Sequence, residues 1–142
     1  PLGGWPLYST APGLEVMNDA GQWIDAPPIP GAFVINISDM IETWTNGEFV
    51  ATSHRVRKVA EERYSFPFFA ACDYATVVEP LPAFVSPERP ARYRRLVSGE
   101  HLFAQTAQTF GYLKKQLADG SLVLPTDSQP LSAYGREAQV AS

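Results

Sequence analysis

Proline is the residue that most constrains this chain. Thirteen of its 142 residues are proline, most of them within the first ninety, and proline fits neither a helix interior nor the middle of a strand ladder. Between the prolines lie short runs of β-branched and aromatic residues, so the first two-thirds of the chain should be built from short strands. Gly13-Leu14-Glu15-Val16-Met17 alternates apolar with polar, and Asn18-Asp19-Ala20-Gly21 is turn-forming composition ahead of Gln22-Trp23-Ile24-Asp25. That order predicts a hairpin. Ala26-Pro27-Pro28-Ile29-Pro30-Gly31 then has to run extended into Ala32-Phe33-Val34-Ile35-Asn36-Ile37, the best candidate for a buried strand.

Ser38 or Asp39 can cap a short helix over residues 39–44, which Asn46-Gly47 would stop because both tolerate a left-handed backbone. Two further strands are expected near 51–59 and 63–71. The polar segment Ala60-Glu61-Glu62 between them is short enough to make them antiparallel neighbours. Another strand is expected over 75–79, then a loop over 80–90. Phe103, Ala107, Phe110, Leu113 and Leu117 recur at spacings of three and four, which predicts one helix from about Ser98 to Leu117, weakened at Gly111. The polar composition from Leu122 onward predicts a frayed or partner-dependent tail. The whole reads as mainly β, short strands with one substantial helix packed outside, as in a sandwich or jelly roll, but two or three strands short of the eight or so a jelly roll needs.

Composition narrows the function classes. Hydrophobic residues make up 45% and charged residues 18%, a globular balance. The net charge of −4 argues against nucleic acid or an anionic membrane as the main partner and leaves a small molecule or a protein. Neither an apolar run of spanning length nor a signal-peptide pattern is present in the sequence. The single cysteine, Cys72, excludes an internal disulfide framework and suits a reducing, cytoplasmic compartment; with no basic neighbour to activate it, it reads as a buried spectator.

The chemistry concentrates in Asn46-Gly47-Glu48-Phe49-Val50-Ala51-Thr52-Ser53-His54-Arg55-Val56 and Arg63-Tyr64-Ser65-Phe66-Pro67-Phe68-Phe69. If these segments form one hairpin, His54 stands opposite Arg63 and Thr52 opposite Ser65, all on one face. An imidazole beside a guanidinium and two hydroxyls could make a metal ligand next to an anion site. Imidazole suits zinc, copper, iron or nickel, so the metal stays open. A lone histidine on a strand is more often structural than a ligand, and Arg63 with Ser65 could be ordinary strand alternation. Arg89, Arg92, Arg94 and Arg95, flanked by prolines and Glu88, read as a solvated loop, and His101 as a solvated or capping residue.

The order of six pieces, however, resembles the C-terminal half of the iron(II)- and 2-oxoglutarate-dependent oxygenases of the isopenicillin N synthase-like group. The pieces are Gly13-Leu14-Glu15-Val16, Gly21-Gln22-Trp23-Ile24, the stretch from Pro28 to Asp39, Trp44-Thr45-Asn46-Gly47, Ser53-His54-Arg55-Val56 and the stretch from Arg63 to Phe69. The resemblance covers about residues 13–117. It implies a partial double-stranded β-helix (jelly roll) with a C-terminal α-helix packed outside. It also implies that His54 is the distal histidine of a 2-His-1-carboxylate iron(II) site, with Arg63 and Ser65 holding the far carboxylate of the co-substrate 2-oxoglutarate. Dioxygen is then the oxidant, and a small organic substrate is hydroxylated, desaturated or ring-closed. Val56 and Phe69 match positions that face the pocket, although both could equally be plain core residues. Some members of the group use the same Arg-x-Ser pair for a different carboxylate.

The sequence departs from the pattern in one respect: the His-x-Asp motif expected a dozen or more residues before Gly13 does not occur in it. The expectation is therefore an atypical N-terminal segment over 1–12, the C-terminal portion of a dioxygenase domain over 13–121, and a polar tail over 122–142. The missing portion of the domain would be the chief protein partner, with nucleic acid and membrane excluded. The alternative is a non-catalytic binding or interaction module that keeps the anion pocket and lacks the metal.

Overall fold

The computed structural model describes residues 6–130. They fall into two compact units, one holding residues up to Glu42 together with Phe49–Ala71, the other Thr43–Glu48 and the residues from Cys72 onward. Among the described residues no helix is long and apolar enough to cross a membrane.

The first unit carries two three-stranded antiparallel sheets. Strand β2 (Leu14–Met17) and β3 (Trp23–Asp25) form the expected hairpin. Its turn is set by Asn18, whose Oδ1 accepts hydrogen bonds from the Ala20 and Gln22 backbone N–H groups at 3.0 and 2.9 Å, while Gly21 supplies the left-handed residue at φ 73°. The other edge of β2 takes β5 (His54–Val56). In the second sheet β1 (Pro6–Ser9) lies between β4 (Val34–Ile35) and β6 (Ser65–Pro67).

This pairing corrects the expected hairpin between the fourth and fifth strand segments. β5 and β6 do not pair with each other. They run back along β2 and β1 respectively, two strands contributed by one N-terminal segment that turns between the sheets at Gly13. Shortness of the Ala60–Glu62 connection suggests local pairing, yet the partner strands lie some forty or more residues earlier, where the ladder is completed by Thr10 N–H to Tyr64 O (3.1 Å) and Arg57 N–H to Gly13 O (2.9 Å). β1 itself falls where the sequence shows no strand pattern. The stretch 32–37 is also corrected: only Val34–Ile35 is strand, it lies at the edge of its sheet, and Phe33 and Ile35 are exposed.

Helix α1 (Asp39–Trp44) matches its prediction. Ser38 Oγ accepts from the Ile41 N–H at 3.5 Å, and the chain leaves the helix through Asn46 at φ 50° and Gly47 at φ 80°.

In the second unit β7 (Val77–Val78) pairs with β8 (Leu96–Val97), and α2 (Ser98–Ala107) packs on this ribbon through a small core of Val78, Leu96, Ala104 and Ala107. The expected single helix is broken, with α3 (Gly111–Ala118) starting afresh. The Thr109 hydroxyl donates to Gln105 O at 2.9 Å, the carbonyl its own N–H would use in a continuous helix, and that N–H turns instead to Thr106 O at 3.0 Å. Gly111 then offers little propensity to bridge the gap. The tail is partly tied down: Val97 N–H bonds Asp127 O at 3.0 Å, Arg95 pairs with Asp127 at 2.9 Å, and Gln129 is buried. Its residues from 131 onward lie outside the described residues.

Candidate functional site

Register sorts the faces of the β3-β2-β5 sheet. Glu15, Arg55 and Asp25 share one face, where Arg55 Nε pairs with Glu15 at 2.6 Å and its guanidinium lies 4.2 Å from the Trp23 ring centroid. His54 faces the other way, opposite Val16, with Val56 opposite Leu14 and Ile24 opposite Val16. The charged pairs thus occupy one side and leave a single imidazole on an aliphatic face. His54 Nδ1 lies 3.2 Å from the Thr52 carbonyl oxygen. A carbonyl only accepts, so Nδ1 is the donor, and in the neutral ring Nε2 then carries the lone pair, the arrangement a metal-ligating imidazole needs.

Arg63 sits where the two sheets meet. A Cβ on Gly13 would stand 3.6 Å from Arg63 Cδ and Nε and 3.0 Å from Val59 Cγ1, so the arginine stem runs against the Gly13 backbone. That glycine adjoins Leu14, the partner of Val56, and Val56 lies two residues along β5 from His54. Gly13 has φ 131°, a region side chains rarely enter. Gly13→Ala is therefore expected to cost about 1–3 kcal/mol, read as a lower midpoint of thermal unfolding.

The Arg63 guanidinium is only partly satisfied. Nη1 donates to Ser65 Oγ at 3.3 Å, whereas Nε and Nη2 are buried and have no hydrogen-bond partner. These two nitrogens form one edge of the planar group, with parallel N–H bonds shaped for the two oxygens of a carboxylate. Glu62, a near carboxylate in sequence, accepts the Tyr64 hydroxyl at 2.5 Å instead, a bond that raises the Tyr64 pKa, with burial adding to the rise. Ser65 Oγ, accepting from Arg63, keeps its own proton to donate.

The structure brings Arg63 and Ser65 together as expected and connects them through Gly13 to the strand of His54. It does not place His54 opposite Arg63, nor Thr52 opposite Ser65: the partners of His54 and Ser65 are Val16 and Ser9, and Thr52 contributes its carbonyl rather than its hydroxyl. Val56 and Phe69 are both exposed. Among the described residues no group of three His, Cys, Asp or Glu could hold a metal. His101 is neither solvated nor a cap. It is 1% exposed, and its Nδ1 accepts the Gln129 N–H at 3.2 Å. Cys72 is half-buried. Arg89 is not merely solvated: it pairs with Glu48 at 2.5 Å and donates to the Thr45 and Asn46 carbonyls at 3.3 and 3.2 Å, closing the C-terminal end of α1.

A family profile described as the 2OG-Fe(II) oxygenase superfamily matches residues 6–71, the whole of the segment that builds both sheets. Over those residues the chain belongs to the 2OG-Fe(II) oxygenase superfamily. The chain is 42% identical over 101 residues to homoarginine-6-hydroxylase 2-ODD-233 of Oryza sativa subsp. japonica, an alignment covering 68% of this chain and 30% of that protein. Among solved structures, the dioxygenase for auxin oxidation in rice superposes with a TM-score of 0.62 at 30% identity, covering 82% of this chain and 37% of that one. JOX2 in complex with 2OG, Fe and JA gives 0.64 at 30% identity, covering 72% and 31%. The chain thus spans about a third of the length of the relatives it matches.

The residues present can be set against the superfamily's two groups. A dicarboxylic oxo acid fits: the buried Nε and Nη2 edge of Arg63 lacks two acceptors, which one carboxylate supplies. For iron, His54 offers one ligand with its proton on the correct nitrogen, and the described residues supply no complete set.

Proposed function

We propose that this chain is the C-terminal portion of a non-haem iron(II)- and 2-oxoglutarate-dependent dioxygenase, its two sheets forming part of a double-stranded β-helix. Its substrate would be a small organic molecule, hydroxylated, desaturated or ring-closed. The observation that carries the reading is the unpartnered Nε and Nη2 edge of Arg63. A buried charged donor left without an acceptor costs about 1–3 kcal/mol or more, and a fold keeps such a group where a ligand satisfies it.

In this reading Arg63 clamps the far carboxylate of 2-oxoglutarate bidentately. Ser65 orients the clamp through Nη1 and donates its hydroxyl proton to the same carboxylate. His54 presents Nε2 as one iron ligand from the aliphatic face, and Val56 and Phe69 border the substrate. Iron, when bound, would supply the activation of dioxygen that couples conversion of 2-oxoglutarate to succinate and carbon dioxide with oxidation of the substrate. The chain's contribution is position: a clamp at one end of the co-substrate and an imidazole at the other, on rigid strands. The single cysteine suits a cytoplasmic setting.

The test is release of succinate by the enzyme that carries this segment with its remaining ligands. Succinate formed in step with oxidised substrate, and lost with His54→Ala, is the expected result. An enzyme that binds iron through His54 and oxidises its substrate without forming succinate would overturn the co-substrate assignment. Ser65→Ala should be milder, raising KM for 2-oxoglutarate about two- to tenfold, the worth of one hydrogen bond, with kcat little changed. The second reading, an anion-binding module without metal, draws on the lack of a three-ligand group among the described residues. Succinate release separates the two.

A further inference from the structure

Glu42 is an acid on a buried stretch of helix. It lies in α1 between Met40 and Thr43, both fully buried, and is itself 1% exposed. Burying a carboxylate is costly unless strong hydrogen bonds offset the lost hydration. Its Oε2 accepts the Ala51 backbone N–H at 2.5 Å, a charge-assisted bond about twice as strong as a neutral one. Ala51 opens the extended segment that runs into β5. Two peptides further on, the Thr52 carbonyl accepts the His54 Nδ1–H at 3.2 Å, and the Ser53 carbonyl accepts the Met17 N–H at 2.9 Å. The three peptides before His54 are therefore held at both ends, by Glu42 on one side and by β2 on the other.

We propose that Glu42 is a positioning residue for His54. By fixing the Ala51 peptide it aims the Thr52 carbonyl at Nδ1, which holds the imidazole in the Nδ1–H tautomer and presents Nε2 as the donor. A neutral imidazole in water favours the opposite tautomer, so this one needs a fixed acceptor. The inference rests on the reading of His54 as a metal ligand.

The test is the tautomer of each histidine in this chain, read from ring nitrogen chemical shifts, with His101 as an internal control. His101 Nδ1 accepts the Gln129 N–H, so His101 should be the Nε2–H form and His54 the Nδ1–H form in one sample. Glu42→Gln keeps an acceptor but weakens the bond, and should raise the Nε2–H share of His54 a few-fold. Glu42→Met removes the acceptor at similar volume and should make Nε2–H the major form. Both should leave His101 unchanged, whereas general loosening of the fold would shift both histidines. If Glu42→Met fails to fold, shown by loss of the His101 pattern, the near-isosteric Glu42→Gln decides. A wild-type His54 mainly in the Nε2–H form, or a folded variant with an unchanged His54 ratio, overturns the proposal. Binding of 2-oxoglutarate at Arg63 is measured separately, so failure of the wider functional reading would be distinguishable.

Discussion

Arg63→Ala should weaken binding of 2-oxoglutarate by about 100-fold or more while leaving the fold as stable as before. Removing one partner of a buried, bidentate charge pair costs about 2–5 kcal/mol of binding, and nothing else near Arg63 offers a parallel pair of donors. Arg63→Lys keeps the charge and loses the fork, so about tenfold is expected. Stability separates this account from a structural role. In the fold Arg63 makes one side-chain hydrogen bond, to Ser65, and carries two buried donors without partners. Deleting it removes an uncompensated buried charge, and the thermal midpoint should hold or rise. A fall of many degrees, with 2-oxoglutarate affinity only slightly changed, would mark Arg63 as scaffold.

The largest loss of stability should come from Asn46→Ala. Asn46 is fully buried, and its side chain serves three backbone groups at once. Nδ2 donates to the Phe84 and Pro90 carbonyls, both at 3.1 Å, and Oδ1 accepts the Arg92 N–H at 2.8 Å. It thereby fixes the long loop between β7 and β8 to the end of α1, within the second unit. Alanine would take the part-buried partner from two carbonyls and one N–H, and would have to adopt φ 50°, which asparagine tolerates better than other side chains. Taken at about 1–3 kcal/mol for each unsatisfied group, not fully additive, the loss should be about 3–5 kcal/mol. Denaturant unfolding monitored by tryptophan fluorescence would measure it. Asn46→Asp keeps the acceptor and loses both donations, and should fall between the two.

What the sequence makes legible is local. The Asn18–Gly21 turn, the Ser38 cap and the Asn46-Gly47 stop each depend on a few adjacent residues whose backbone preferences are strong, and each occurs where those residues are. Strand partners are a different matter. β5 and β6 pair with β2 and β1 across roughly forty to sixty residues, and nothing in Ala60-Glu61-Glu62 distinguishes a tight turn from a crossing between sheets. The break after Ala107 is equally hidden, because the Thr109 hydroxyl takes the Gln105 carbonyl only once the preceding turn exists. His101 carries no mark of burial in its own neighbourhood, since Gln129, its partner, lies 28 residues on. Identities at the candidate site do not depend on these pairings: His54, Arg63 and Ser65 follow from residue type and order. Their supporting residues, Gly13, Glu42 and the Thr52 carbonyl, depend on the long-range pairing. The one clue available is Glu42 itself, an acid between residues of a buried helix face.

The central claim is that the Nε and Nη2 edge of Arg63 receives a carboxylate of 2-oxoglutarate. It is tested most directly by following the Arg63 Nε–H resonance of this chain while 2-oxoglutarate is added. The account predicts a saturable shift at Arg63, accompanied by slower solvent exchange of that proton, reproduced by other dicarboxylates of similar length and absent with a neutral diester of the same acid. An Arg63 Nε–H that stays unmoved while 2-oxoglutarate binds and shifts resonances elsewhere would contradict it.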